Sequence, residues 1–65
     1  MPDLDAVKRK YLDVLYLFDK KKGPDHHKTT LDIISDELEV AKSNSNLVDF
    51  ENIMKRLEEI ESSLN

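Results

Sequence analysis

The two histidines of the chain stand side by side at His26 and His27, directly after Asp25, and here the sequence comes nearest to a reactive group. Imidazole can bind a metal, move a proton near neutral pH or carry a phosphoryl group. Zinc asks for four protein ligands, or three and a water. Adjacent helical residues point about 100° apart, Asp25 is expected to be consumed as a helix cap, and no other His or Cys cluster exists to complete a coordination shell. No metal site is therefore expected. His26 should lie on the surface and His27 at the edge of the core.

The other polar clusters have plainer explanations. Lys20, Lys21 and Lys22 precede Gly23 and Pro24. Cations suit the carbonyl end of a helix, glycine suits a left-handed closing residue, and proline blocks continuation. Asp36, Glu37 and Glu39, then Glu58, Glu59 and Glu61, fall mostly on polar helix faces. General acid–base chemistry needs a dry, concave site to shift a pKa, which a chain of 65 residues has little room to build. There is no phosphate-binding glycine loop, no cysteine nucleophile and no defensible Ser–His–Asp spacing. The expectation is a non-enzymatic protein with no catalytic residue and no cofactor.

Around these groups the sequence is helical. Glycine and proline are almost confined to the 23–24 corner, and no stretch alternates with period two for long. The expected fold is all-α: one domain over residues 1–65, an antiparallel three-helix bundle with helices at about 3–21, 26–43 and 47–63. Asp3 should cap the first helix behind Pro2. Asp25 should start the second, with Thr29 as the alternative start and Asp32 three residues on. The cluster Ser43–Asn46 should break the chain, with Asn46 capping the third helix and Asp49 at the reciprocal position. Phe50, Ile53, Leu57, Ile60 and Leu64 step by three and four, which is a single bundle seam, broadened by Leu47 and Met54.

Size and charge narrow the function. A domain this small buries only about 60% of its unfolded surface, and the absence of cysteine removes disulfides as a support. The net charge of −4 argues against a general phosphate-backbone binder. Residues 1–22 carry six basic and four acidic side chains, whereas residues 23–45 and 46–65 each carry two and five. The simplest reading is complementarity within the bundle. With no apolar run near the ~20 residues of a membrane span, and neither cysteine nor a leader-like segment, the expected compartment is the cytoplasm.

Helices 1 and 2 carry more apolar stripes than one core uses. In helix 1, Leu4, Val7, Tyr11, Val14, Leu15 and Phe18 share a face, while Leu12 and Tyr16 form a second short stripe. In helix 2, Leu31, Ile34, Leu38 and Ala41 make the core face, with Ile33 and Val40 nearly opposite. A three-helix monomer buries one face of each helix. Leu12, Tyr16, Ile33 and Val40 are therefore expected to form a partner-binding patch. The partner would be a second copy or a larger protein, with tyrosine and leucine as anchors. The function expected is that of a regulatory protein–protein interaction module.

Two other readings use different residues. A nucleic-acid-associated regulator would use the basic residues of helix 1, with Lys8, Arg9, Lys20, Lys21 and Lys22 on one face. The segment HHKTTLDII followed by LVDFENIMKRLEEI, over residues 26–60, is loosely similar to the dimerisation and phosphotransfer domains of two-component kinases. That resemblance implies a dimeric helical hairpin in which His26 or His27 carries phosphate. The chain departs from the pattern: the acidic residue that directly follows the histidine is absent, as is the motif's proline, and the register is off by one.

Overall fold

The punctuation at residues 22–24 and 44–49 divides the chain into three helices. In the computed structural model, which describes residues 1–65, α1 is Leu4–Lys21, α2 is Asp25–Ser43 and α3 is Phe50–Leu64, with a single 3₁₀ turn at Ser45–Leu47. The protein is an all-α three-helix bundle measuring 32 × 20 × 15 Å. Its long axis is close to the ~27 Å length of an 18-residue helix.

The direction of each helix follows from its neighbours. His27, at the start of α2, meets Ser63 at the end of α3, and Glu37 further along meets Arg56. Lys28 lies beside Asp19 late in α1, whereas Glu39 and Lys42 lie beside Lys8 early in it. α2 therefore runs antiparallel to both other helices. α1 packs more extensively on α3 than on α2, and α2 and α3 approach least.

The core is one layer deep. Val7 and Val14 from α1, Leu31, Ile34 and Leu38 from α2, and Ile53, Leu57 and Ile60 from α3 form a single buried cluster. Ala41 is also buried, and no polar or charged residue is. Each leucine or isoleucine contributes about 1.5–3 kcal/mol by leaving water. Leu4, Tyr11, Leu15 and Phe18 share the α1 face but are only half-buried, packing around the cluster as a rim.

Two ion pairs brace the flanks. Lys10 Nζ donates to Glu61 Oε1 at 2.7 Å, tying α1 to α3. Arg56 Nη2 spans the Glu37 carboxylate, donating to Oε1 at 2.9 Å and lying 2.8 Å from Oε2, and so links α3 to α2. The Nε of Arg56 is buried without an acceptor. All four side chains keep a quarter or more of their surface in water. Each pair is thus worth under about 1 kcal/mol.

The helix ends differ from the sequence expectation at three places. The left-handed residue that closes α1 is Lys22, with φ 52° and ψ 58°, and not Gly23. Gly23 N–H then donates to the Phe18 carbonyl at 3.2 Å, the six-to-one bond of a Schellman closure. The reason is Pro24: a residue before proline is pushed to extended backbone, so the left-handed turn moves one position back. Glycine is still required, for space. A Cβ on Gly23 would lie 2.7 Å from Phe18 Cδ2 and 2.8 Å from Leu64 Cδ2.

At α2, Pro24 occupies the cap position without a side-chain bond, and Asp25 is the first helical residue, where its charge complements the helix dipole. The alternative start at Thr29 is excluded, since Thr29 lies inside the helix and its hydroxyl donates back to the Asp25 carbonyl at 3.3 Å. At α3 the cap is Asp49, whose Oδ1 accepts from Asn52 N–H at 3.1 Å, so the helix starts at Phe50 and not at 47. Asn44 takes the role expected of Asn46, but for the 3₁₀ turn, accepting from Asn46 N–H. Leu47 sits on that turn, 71% exposed, and adds nothing to the α3 seam. Asp3 caps α1 as expected, accepting from Ala6 N–H at 2.9 Å.

These ends generate two predictions. Gly23→Ala should lower stability by about 1–2 kcal/mol through overpacking, while Lys22→Gly should raise it by about 0.5–1 kcal/mol by relieving the left-handed strain. Urea unfolding reads both, and a loss of stability in Lys22→Gly would place the closing residue at 23. Asp49→Ala should cost about 1 kcal/mol, and Asn46→Ala less than about 0.5 kcal/mol, in the same assay.

Candidate interaction surface

The exposed apolar side chains of α1 sit on the flank that faces α2. Leu12 is 60% and Tyr16 70% exposed. Both line an open groove of about 440 Å³ with Leu15, Phe18, Asp19 and Lys28. A second hollow of about 130 Å³ continues the same α1–α2 seam, lined by Lys8, Tyr11, Leu12, Ser35, Leu38, Glu39 and Lys42. Leu12 is common to both and divides them.

Helix geometry produces this arrangement. Leu12, Leu15, Tyr16 and Asp19 follow one another at three, one and three residues, so they form adjoining corners on one side of the core stripe. Leu15 and Phe18 belong to the apolar face of α1, yet they reach the edge of the core and give the groove its apolar floor. Sequence reading assigned them only to the core. The signal that could have found Leu15 is its i, i+3 spacing from Leu12, at the edge of the stripe nearest the groove; Phe18 lies in the middle of the stripe, and spacing gives no such signal for it.

Ile33, 51% exposed, and Val40, 45% exposed, do not join this surface. Neither lines the groove or the hollow. On a helical wheel the groove-lining residues of α2 fall to one side of its core stripe, and Ile33 and Val40 fall to the other. The exposed acids Asp25, Asp32, Asp36 and Glu39 lie between them. The structure therefore brings Leu12 and Tyr16 together and keeps Ile33 and Val40 on a separate strip.

The charges on the α2 wall are paired within the chain. Lys28 Nζ donates to Asp32 Oδ1 at 2.6 Å, and Lys42 Nζ to Glu39 Oε1 at 3.0 Å. The bond to Asp32, and then the Asp32 charge, hold the Lys28 ammonium above its ordinary pKa. Lys8 and Asp19, at the two ends of the seam, have no ion-pair partner.

The histidines lie elsewhere, at the α2–α3 end. His26 is exposed on the first turn of α2, and its ring centroid is 4.3 Å from that of His27. His27 is half-buried, with Nε2 3.0 Å from Ser63 Oγ. No three His, Asp or Glu side chains converge in a metal-holding arrangement. The basic residues of α1 do not all share a face: Arg9 and Lys20 fall on one edge, but Lys8 points about 100° from Arg9 and Lys21 about 100° from Lys20, and Lys10 is held by Glu61. No helix is long and apolar enough to cross a membrane.

No family model, curated protein or solved structure matches the chain.

The His27 contact carries a pH dependence. Burial, and then the neighbouring His26, lower the His27 pKa from its ordinary value of 6.5. The unfolded chain then binds the proton more readily than the folded one. Stability should decline as pH falls through about 6.5 and level off below the folded-state pKa. Thermal unfolding between about pH 8 and pH 5 should show that decline, and His27→Gln should flatten it. A decline that is unchanged in His27→Gln would assign the effect to the carboxylates.

Proposed function

We propose that this chain is a small, non-enzymatic, regulatory protein–protein interaction module that docks through the α1 flank carrying Leu12 and Tyr16. The observation that carries the reading is the pairing of two exposed anchors with an apolar groove beside them. Exposed apolar residues scattered singly are ordinary on any surface. Here they adjoin a hollow whose floor is Leu15 and Phe18, the shape that receives a partner's side chain. Tyrosine supplies large contact area with few rotatable bonds, which is why it tends to dominate interfaces. Ile33 and Val40 stand outside this contact, because α2's acidic ridge separates them from the groove.

A photoreactive amino acid at position 16 would identify what covers this face, and calorimetry would then compare variants against that partner. Leu12→Asp with Tyr16→Asp should retain full helicity by circular dichroism and lose affinity by about 30-fold or more. Val40→Asp should change affinity by less than about threefold. Lost helicity in the double variant would assign both residues to the chain's own packing, and undiminished affinity would remove the flank from the binding site.

A further inference from the structure

The seam has a polarity that suits one occupant in particular. Reading along α1, Lys8 stands at one end, Leu12 and Tyr16 in the middle, and Asp19 at the other end. The spacings are four, four and three residues, so all four lie on one flank. The ends are opposite in charge and the centre is apolar. Such a sequence is its own complement when a second helix is laid against it in the reverse direction.

We propose that the groove is covered by a second copy of this chain, with the two α1 helices antiparallel across a two-fold axis. The proposal rests on the docking surface described above and names its occupant. Leu12 of each copy meets Tyr16 of the other, and Lys8 of each meets Asp19 of the other. An isologous contact makes both pairs occur twice. The remaining charges of the seam compete less, because Lys28 pairs with Asp32 and Lys42 with Glu39 on their own helix. Among the charges that line the two hollows, only Lys8 and Asp19 are free to pair across it; Asp5, also unpaired, lies on the same flank one turn before Lys8. Arg9 and Lys20 lie on the other edge of the stripe, where the copies would bring like charges together. That repulsion tilts the pair toward the α2 side, over the floor of Leu15 and Phe18. The chain exposes 4478 Å² in all, and the ~800 Å² per subunit of a standard interface would take in this flank and its α2 wall. A chain this small offers little apolar area beyond that flank, so the expected dimer dissociates on dilution.

Sedimentation equilibrium of the full chain, from about 1 mM down to about 1 µM, tests the pairing. The wild type should move between 7.6 kDa and twice that mass. Lys8→Asp and Asp19→Lys should each weaken association by roughly tenfold, with helicity unchanged. The double exchange, Lys8→Asp with Asp19→Lys, should restore it to within about threefold. A wild type that stays monomeric overturns the self-pairing and leaves the flank to a different protein. A dimer in which the double exchange is no tighter than either single variant overturns the antiparallel register. A dimer that persists unchanged in Leu12→Asp places the self-association on another face and overturns the pairing through α1.

Discussion

Mutual burial of Val7, Val14, Leu31, Ile34, Leu38, Ile53, Leu57 and Ile60 is the interaction on which every other feature of this chain depends. Each helix contributes one stripe, and nothing polar enters the layer between them. Most of the stability of a helix in a protein comes from packing its amphipathic face, not from propensity. The stripes must therefore find each other before α1, α2 or α3 persists, and the ion pairs on the flanks only trim the result. Because three stripes close around one axis, the opposite side of every helix is left in water. The exposure of Leu12, Tyr16, Ile33 and Val40 is a consequence of that closure and not a separate feature.

The corner at residues 22–24 shows how local and long-range demands share a few residues. Proline fixes where α2 begins and forces extended backbone on Gly23. Lysine then accepts the left-handed conformation that glycine would hold without strain. Glycine is kept one position on because the Phe18 ring and the end of α3 pass within contact distance of its Cα hydrogen atoms. A turn residue is thus set by packing from a helix forty residues away in sequence, while the turn itself is set by its neighbour.

Much of this architecture is legible in the sequence. The periodicity of Leu31, Ile34, Leu38 and Ala41, and of Ile53, Leu57 and Ile60, identifies the buried faces directly, and all seven are buried. Asp3 announces the first cap. The misplacements have physical causes. Asn44, Asn46 and Asp49 are all competent caps, and the choice among them turns on whether Ser45–Leu47 forms its own 3₁₀ turn, which composition does not reveal. Leu47 looks like part of the α3 seam only if that helix begins early. For the candidate surface, wheel positions find the exposed residues but not their grouping. Two stripes on two helices join or part according to which flank each helix turns toward the other. That is a tertiary fact, and it parts Ile33 and Val40 from Leu12 and Tyr16.

The paired charges on α2 bear on how such a flank could bind anything with useful affinity. Association always loses freedom in the side chains it orders. Lys28 and Lys42 are long, flexible groups at the rim of the groove, and each is already held by an acid one turn away on its own helix. Both pairs are largely exposed, so each favours that orientation by only about 0.2–0.5 kcal/mol. Tyr16 contributes its ring with only two torsions to fix. What remains to be ordered is Lys8 and Asp19, the two unpaired ends of the seam. A small bundle with a thin core cannot offer a large interface, so the affinity of this one is governed by how little it must rearrange. The internal pairing along α2 reduces that rearrangement slightly, and the two-torsion ring of Tyr16 reduces it more.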